Sequence, residues 1–191
     1  MNLRTHKRTI IVLIIGAALG VIFSGTFASF VQYSNTMEFC ISCHEMRDTV
    51  YEEFKETTHY MNQSGVRAVC ADCHVPHGNW LATLAVKVRA TKELVYHTTG
   101  ILNTPEQIEE KRLELAQGVW AKMKASDSRE CRNCHVREAM VLASQKKRAR
   151  VKHEAAEEEG KTCIDCHKGI AHKPVHEELE KEEGESEDFK L

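Results

Sequence analysis

Positions 10–31 form a predominantly apolar run of 22 residues with no charge. As a helix at 1.5 Å per residue the run measures about 33 Å, enough to cross the roughly 30 Å hydrocarbon layer of a bilayer. Arg4, Lys7 and Arg8 precede it, and no Lys or Arg follows before Arg47. That asymmetry predicts a single-pass anchor with residues 1–9 in the cytoplasm and the rest of the chain outside. A cleaved secretory leader would have a shorter apolar stretch and a small-x-small cleavage site, and no convincing one is present. Gly16 and Gly20 are spaced for close helix packing, which leaves a homo-oligomer open.

Past the anchor the period changes. Leu81, Leu84, Ala85, Val88 and Val95 mark one face of a helix whose other sides carry Lys87, Arg89, Lys92 and Glu93. Trp80 opens this helix and suits a membrane–water boundary. A second helix is announced by Thr104, by Pro105 at the first helical position, and by Gln107 as the reciprocal cap. Ile108, Leu115, Val119, Trp120 and Met123 give its apolar stripe, which reads as packing. A basic run, Lys146, Lys147, Arg148, Arg150 and Lys152, reads either as a solvated helix face or as a surface for acidic groups. From Glu177 the last 15 residues hold eight acids and two lysines, the composition of a disordered tail. The fold class expected from these segments is mainly α.

Composition then narrows the chemistry. The net charge of −2 argues against a nucleic-acid partner. All 8 cysteines fall into four C-x-x-C pairs: Cys40/Cys43, Cys70/Cys73, Cys131/Cys134 and Cys163/Cys166. Each pair is followed at once by a histidine: His44, His74, His135 and His167. Structural zinc also uses paired cysteines, but it does not require a histidine directly after each pair. C-x-x-C-H is the attachment motif of c-type haem. The thiols form thioethers to the haem vinyl groups, and the adjacent imidazole is placed to bind iron from one face. Attachment occurs outside the cytoplasm, so residues 32–176 are expected to be a periplasmic domain carrying four haem c groups.

Roughly 35 residues per haem cannot enclose four macrocycles in an ordinary side-chain core, so the haems themselves must supply much of it. The spacing also repeats. Cys40 to Cys70 is 30 residues and Cys131 to Cys163 is 32. His59 lies 11 before Cys70, and His153 lies 10 before Cys163. His77 is three past His74, and His172 is five past His167. The chain therefore reads as two related two-haem units, about 36–78 and 127–174. The repeat offers His59, His77, His153 and His172 as second axial ligands, whereas His6, His97 and His176 fall on the cytoplasmic side or outside it. Met46 breaks the pattern, since none of the other three motifs has a methionine two residues past its histidine. Met46 is either a soft axial ligand that raises the potential or a packing residue against the macrocycle.

The segments "EFCISCHEMR", "HYMNQSGVRAVCADCHVPH", "KVRATKELVYHTTG", "ECRNCH" and "TCIDCHKGIAHK" carry a resemblance. The chain resembles the NapC/NirT/NrfH family of membrane-anchored tetrahaem quinol dehydrogenases, most closely the branch of periplasmic nitrate reduction. The resemblance implies that Met46 takes the proximal position on haem 1, with His44 as the alternative. It implies an open distal side near a carboxylate, here Glu93 where relatives have Asp. A lysine, Lys87 or Lys92, would help form the quinol pocket. It gives His59 to haem 4 with His167, His172 to haem 3 with His135, and His153 to haem 2 with His74. The substrate would be menaquinol or ubiquinol from the quinol pool of a bacterial inner membrane. The partner would be a periplasmic reductase, the nitrate reductase with its small dihaem subunit first among them. Nitrite and trimethylamine-oxide systems are the alternatives, as is an electron-transfer tether without a quinol site.

Overall fold

The computed structural model describes residues 3–176, so the expected acidic tail lies outside the described residues. Every regular element among them is helical. Helix α1, Leu3–Tyr33, is the apolar run extended at both ends. Its stretch His6–Tyr33 is long and apolar enough to cross a membrane, and no residue in its most apolar window is buried inside the rest of the chain. Two hydroxyls within it are satisfied internally. Thr26 Oγ1 donates to the Ile22 carbonyl and Ser29 Oγ to the Gly25 carbonyl, both at 2.9 Å, which removes most of their cost in an apolar medium.

The anchor runs directly into the first cysteine pair. Buried Ser34 closes the helix by donating Oγ to the Val31 carbonyl. Thr36 Oγ1 then accepts from the Phe39 amide at 3.2 Å and caps α2, Met37–Cys40. The Phe39 ring meets Phe30 and Tyr33 edge-on at 6.4 and 5.5 Å, so three aromatic rings fix Cys40 at the end of α1. A π-helical turn, Met46–Val50, leads into α3, Tyr51–Lys55.

Helices α4, Cys70–His74, and α9, Cys163–Cys166, are single turns built alike. An aspartate inside each motif reaches back to cap its own start. Asp72 Oδ2 accepts from the Val69 amide at 2.8 Å, and Asp165 Oδ2 from the Thr162 amide at 2.9 Å. Between them lie the two long helices. Helix α5, Trp80–Thr98, is capped by the Asn79 side chain. Helix α6, Pro105–Ala125, has the capping box expected from Thr104 and Gln107. Gln107 also donates to the Gly100 carbonyl, which tightens the turn between the two helices.

After α6 the chain reverses through Asp127 and Ser128, both in the left-handed region at φ 51° and 48°. Non-glycine residues rarely sit there. Ser128 is fully buried, and its Oγ accepts from the Ile164 amide at 3.1 Å. The strained turn thereby ties α7, Arg129–Arg132, to α9. Helix α8, Lys147–Glu158, follows two short 3-10 turns.

Side-chain packing contributes little core. Phe54, Ala71, Ile164 and Val175 are the buried apolar side chains among the described residues. The stripe on α5 does not pack as its period suggests: Leu81, Val88 and Val95 are each more than half exposed. Polar struts do more. Arg112 of α6 donates to both carboxylate oxygens of Glu53 on α3, at 3.0 and 2.7 Å, and to Glu109 at 2.6 Å. Glu53 also accepts from the Lys173 amide at 2.9 Å, so one carboxylate joins the two halves of the chain.

Candidate haem centres and the groove beside the anchor

None of the eight cysteines is in a disulfide, so every thiol is available for a thioether. They are not all sheltered, as a haem-filled core suggests they should be. Cys40, Cys70, Cys73, Cys131 and Cys163 are half-buried, whereas Cys43, Cys134 and Cys166 are exposed. The exposed three are the second cysteines of their motifs, and the reason is local. Helix α7 stops at Arg132, so Cys134 lies on the turn beyond it, its amide donating to the Cys131 carbonyl at 3.3 Å. Cys43 likewise falls past the end of α2, and Cys166 is the last residue of α9. Only in α4 does the helical turn run on to the histidine, and there Cys73 is half-buried. The polypeptide thus covers one thiol of each motif and leaves the second of three motifs to be covered by the group it holds.

Each motif histidine faces one histidine from elsewhere. His44 and His97 have ring centres 6.0 Å apart, His74 and His172 6.2 Å, His135 and His59 6.2 Å, and His167 and His153 5.9 Å. Two metal–imidazole bonds of about 2 Å each, plus the half-widths of the rings, set two ring centres roughly 6 Å apart across one iron. The donor set fits covalently held haem: two thiols, a motif imidazole and a second imidazole facing it, four times over.

For three of these rings, burial favours the neutral form that binds iron. Burial pushes His74 down to about 4, with the His172 and Lys122 charges adding to it. Burial also lowers His172, against the opposing pull of Glu53 and the Val50 backbone. His167 is lowered by burial and by His153 and His135. His153 is aimed as well: its Nδ1 meets Gln145 Oε1 at 2.6 Å, which leaves Nε2 for a metal.

The pairing differs from the one the resemblance implies. His172 lies against His74 rather than His135, His59 against His135 rather than His167, and His153 against His167 rather than His74. The reasons are local. Helix α8 ends in a tight turn at Gly160 (φ 62°), with the Lys161 amide donating to the Ala156 carbonyl, so His153 folds back onto the motif that follows it. Glu53 holds Lys173 and draws His172 toward the first half of the chain. Helix α4 packs on α7, which brings the His59 segment over His135, the histidine that follows Cys134. His77 faces no motif histidine and stands 3.5 Å from Asp72.

The first centre holds residues the sequence reading passed over. His97 Nδ1 hydrogen-bonds Glu45, the residue immediately after His44. Glu45 Oε1 is also 3.5 Å from His44 Nε2, and Asn103 Oδ1 is 2.9 Å from that nitrogen. Glu45 is buried, and its Oε2 has no partner among the described residues. Burial pushes its carboxyl up, but the His97 hydrogen bond and the His44 and His97 charges outweigh this and hold it below the usual carboxylate range. One signal for His97 was present: it lies four residues past Glu93 on α5 and shares its face. Met46, 42% exposed, opens the π-helical turn beside this cluster.

The expected quinol-site residues do not converge. Lys87 Nζ donates to the Ser34 carbonyl at 2.7 Å, bracing α5 against the end of α1, and burial lowers its pKa. Lys92 Nζ stands 4.9 Å from the Tyr96 ring centre. Glu93 is exposed on a different side of α5 from Lys87. Beside them, a groove of about 300 Å³ runs between the end of α1 and the start of α5, lined by Val31, Gly78, Asn79, Trp80 and Thr83.

The family model described as "NapC/NirT cytochrome c family, N-terminal region" matches residues 2–177. The chain is 55% identical over 161 residues to the denitrification system component NirT of Stutzerimonas stutzeri, covering 84% of this chain and 80% of that one. It is 50% identical to the cytochrome c-type protein NapC of Escherichia coli K12 over the same shares. It is 53% identical to NapC of Paracoccus pantotrophus over 158 residues, 82% of this chain and 66% of the relative. No solved structure matches. With a match that takes in all four cysteine pairs, the chain belongs to the NapC/NirT cytochrome c family, as an electron-transfer protein with covalently bound haem c.

Proposed function

We propose that this protein is an inner-membrane quinol dehydrogenase that passes electrons through four haem c groups to a periplasmic reductase. The observation that carries the reading is the position of the first centre. Cys40 is held at the end of α1 by Phe30, Tyr33 and Phe39, and the groove at Trp80 opens at that same boundary. A lipid-borne donor reaches no other motif so directly. The N-terminus lies in the cytoplasm and residues 32–176 in the periplasm, as two related two-haem units.

Haem, when bound, supplies one-electron redox chemistry at iron. The chain supplies access, orientation and proton handling. Trp80 and Val31 give the quinol ring an apolar lining. Lys87 uses one of its three donors on Ser34, and the remaining two are free to hold a quinol oxygen. Oxidation of a quinol releases two protons with its two electrons, so a base must stand nearby. Glu93, exposed on α5 but off the Lys87 side, is the proposed relay, taking the two protons in turn through intervening water rather than from a quinol oxygen that it touches. For the other axial imidazoles we take the ring contacts as the guide: His172 with His74, His59 with His135, and His153 with His167.

The relatives' names connect them to denitrification and to Nap proteins, which favours a periplasmic nitrate reductase and its small dihaem subunit as recipient. The test uses the full chain in mild detergent with all four haems attached. Reduced menaquinone and ubiquinone analogues are added and haem reduction is followed by absorbance. Rapid reduction by at least one quinol, slowed tenfold or more in Glu93→Gln, is expected. Haem that dithionite reduces and neither quinol does would overturn the reading in favour of a tether fed by another dehydrogenase.

A further inference from the structure

We infer that the outer face of helix α8, formed by Lys147, Arg148, Val151 and Lys152, is the docking surface for an acidic soluble redox protein that takes electrons from this chain. The inference rests on the proposed passage of electrons to a periplasmic acceptor. It adds the surface, and the charge, by which that acceptor is met.

The charges of α8 are set against the stability of the helix. An α-helix is favoured by acids in its first turn and cations in its last. Helix α8 has neither. Lys147 and Arg148 open it, Glu157 and Glu158 end it, and Lys146 stands at the N-cap without a capping hydrogen bond. Lys146/Arg150 and Arg148/Lys152 are like-charged pairs four residues apart, a spacing that sets each pair side by side. None of these cations is in an ion pair among the described residues, whereas Arg112, Lys124, Arg132 and Lys173 all are. A cluster that opposes its own helix and finds no ion-pair partner in the fold is complementary to an acid outside it.

Two other acidic groups fit less well. The first is a propionate of the haem held at Cys163 and Cys166. His153 faces His167, so that haem belongs to the His153 side of α8. At about 100° per residue, Lys147, Arg148 and Val151 lie about 120–160° around the helix from His153, and Lys152 about 100°. Half-buried Arg150, about 60° from His153, is on the haem side and is left out of the surface. The second is a lipid headgroup. Helix α2, just past the anchor, packs on α4, α4 packs on α7, and α7 is tied to α9 through Ser128 and Ile164. Helix α8 belongs to the last step of that series, away from the attachment site at the lipid boundary. The face also has the anatomy of a protein interface. Lys147, Arg148 and Lys152 are exposed, and Val151 among them is 50% exposed, an apolar centre with a charged rim.

The experiment uses the full chain in detergent, with four haems confirmed by mass and reduced by dithionite, so no quinol step enters. The acceptor is one small soluble ferric cytochrome in two forms, its surface lysines either free or succinylated to make it acidic. One electron passes from a ferrous haem of this chain to the ferric haem of the acceptor, and no proton moves with it. Wild type is expected to bind the acidic form more tightly and reduce it faster than the basic form, an advantage that salt removes. The triple change Lys147→Glu, Arg148→Glu and Lys152→Glu should weaken that binding and slow that reaction roughly tenfold. It should melt no lower than wild type, because acids then stand at the helix N-terminus. The same charge change at Lys55, Arg89 and Lys111 should slow the reaction far less. Equal slowing by both triple variants would reduce the effect to net charge and overturn the inference, as would an unaltered rate in the α8 variant. Haem loss or a high-spin signal in the α8 variant would give the face to a propionate instead. In phospholipid discs, transfer that phosphatidylglycerol abolishes and phosphatidylcholine does not would give it to lipid. If the α8 variant does not accumulate, the triple change to Gln decides. Weaker binding of the acidic form supports the inference, and wild-type binding overturns it. Failure of quinol to reduce wild type would leave these results standing and count only against the dehydrogenase reading.

Discussion

Arg112 shows how much a single side chain holds in a molecule with so few buried apolar residues. Its guanidinium side chain is 12% exposed, meets both Glu53 oxygens and Glu109, and has its charged state stabilised by these carboxylates against the cost of burial. Glu53 then reaches the Lys173 amide, next to His172. Removing one partner of a well-buried pair strands the other charge, at about 3 kcal/mol. Arg112→Met is therefore expected to lose about 3 kcal/mol in denaturant unfolding of the haem-loaded protein. It should also loosen one histidine ligand, seen as a fractional high-spin signal. Lys at this position recovers less than a conservative change suggests, because a point charge cannot make the two-pronged contact.

At the scale of elements, the turn after α6 is a second point of leverage. Ser128 is held in a left-handed backbone conformation and donates its amide to the Met123 carbonyl at 2.7 Å, while its hydroxyl accepts from Ile164. Ser128→Ala leaves the buried Ile164 amide unpaired and should cost about 1–3 kcal/mol, read as a lower thermal midpoint with unchanged haem content. Ser128→Gly is the control, since glycine relieves the backbone strain but cannot restore the hydrogen bond. The elements themselves were legible beforehand. The apolar run became α1, and the Thr104–Pro105–Gln107 cap opens α6 at the expected residue. These signals are local, so sequence carries them. The α5 stripe stays exposed because a period reports an apolar face without saying what covers it. His97 was passed over because it lies outside the repeat, and the repeat records ancestry of spacing rather than which rings meet in space.

For the whole molecule, the ring contacts bear on which half of the chain would complete which centre. The histidine pairs at His74/His172 and His135/His59 cross between the halves, while His44/His97 and His167/His153 do not. Spacing alone cannot reveal this, because crossing depends on α4 packing on α7 and on the Glu53 strut. The prediction is specific. His172→Ala should open the centre attached at Cys70 and Cys73, giving one high-spin haem. Adding Cys70→Ala and Cys73→Ala should remove that signal together with one haem. A signal that survives loss of the Cys70/Cys73 attachment would instead place His172 at another motif.

The crossing has a consequence for biogenesis. A nascent chain emerging N-terminus first has made His74 and His59 long before His135 and His172 exist. If His172 completes the centre at His74, the haem attached at Cys70 and Cys73 would take its second imidazole from a residue about 100 positions downstream, an extended distance of roughly 330 Å. On that proposed ligation, a chain halted midway would carry this centre with a single imidazole, a state that a high-spin spectrum would tell from the finished protein.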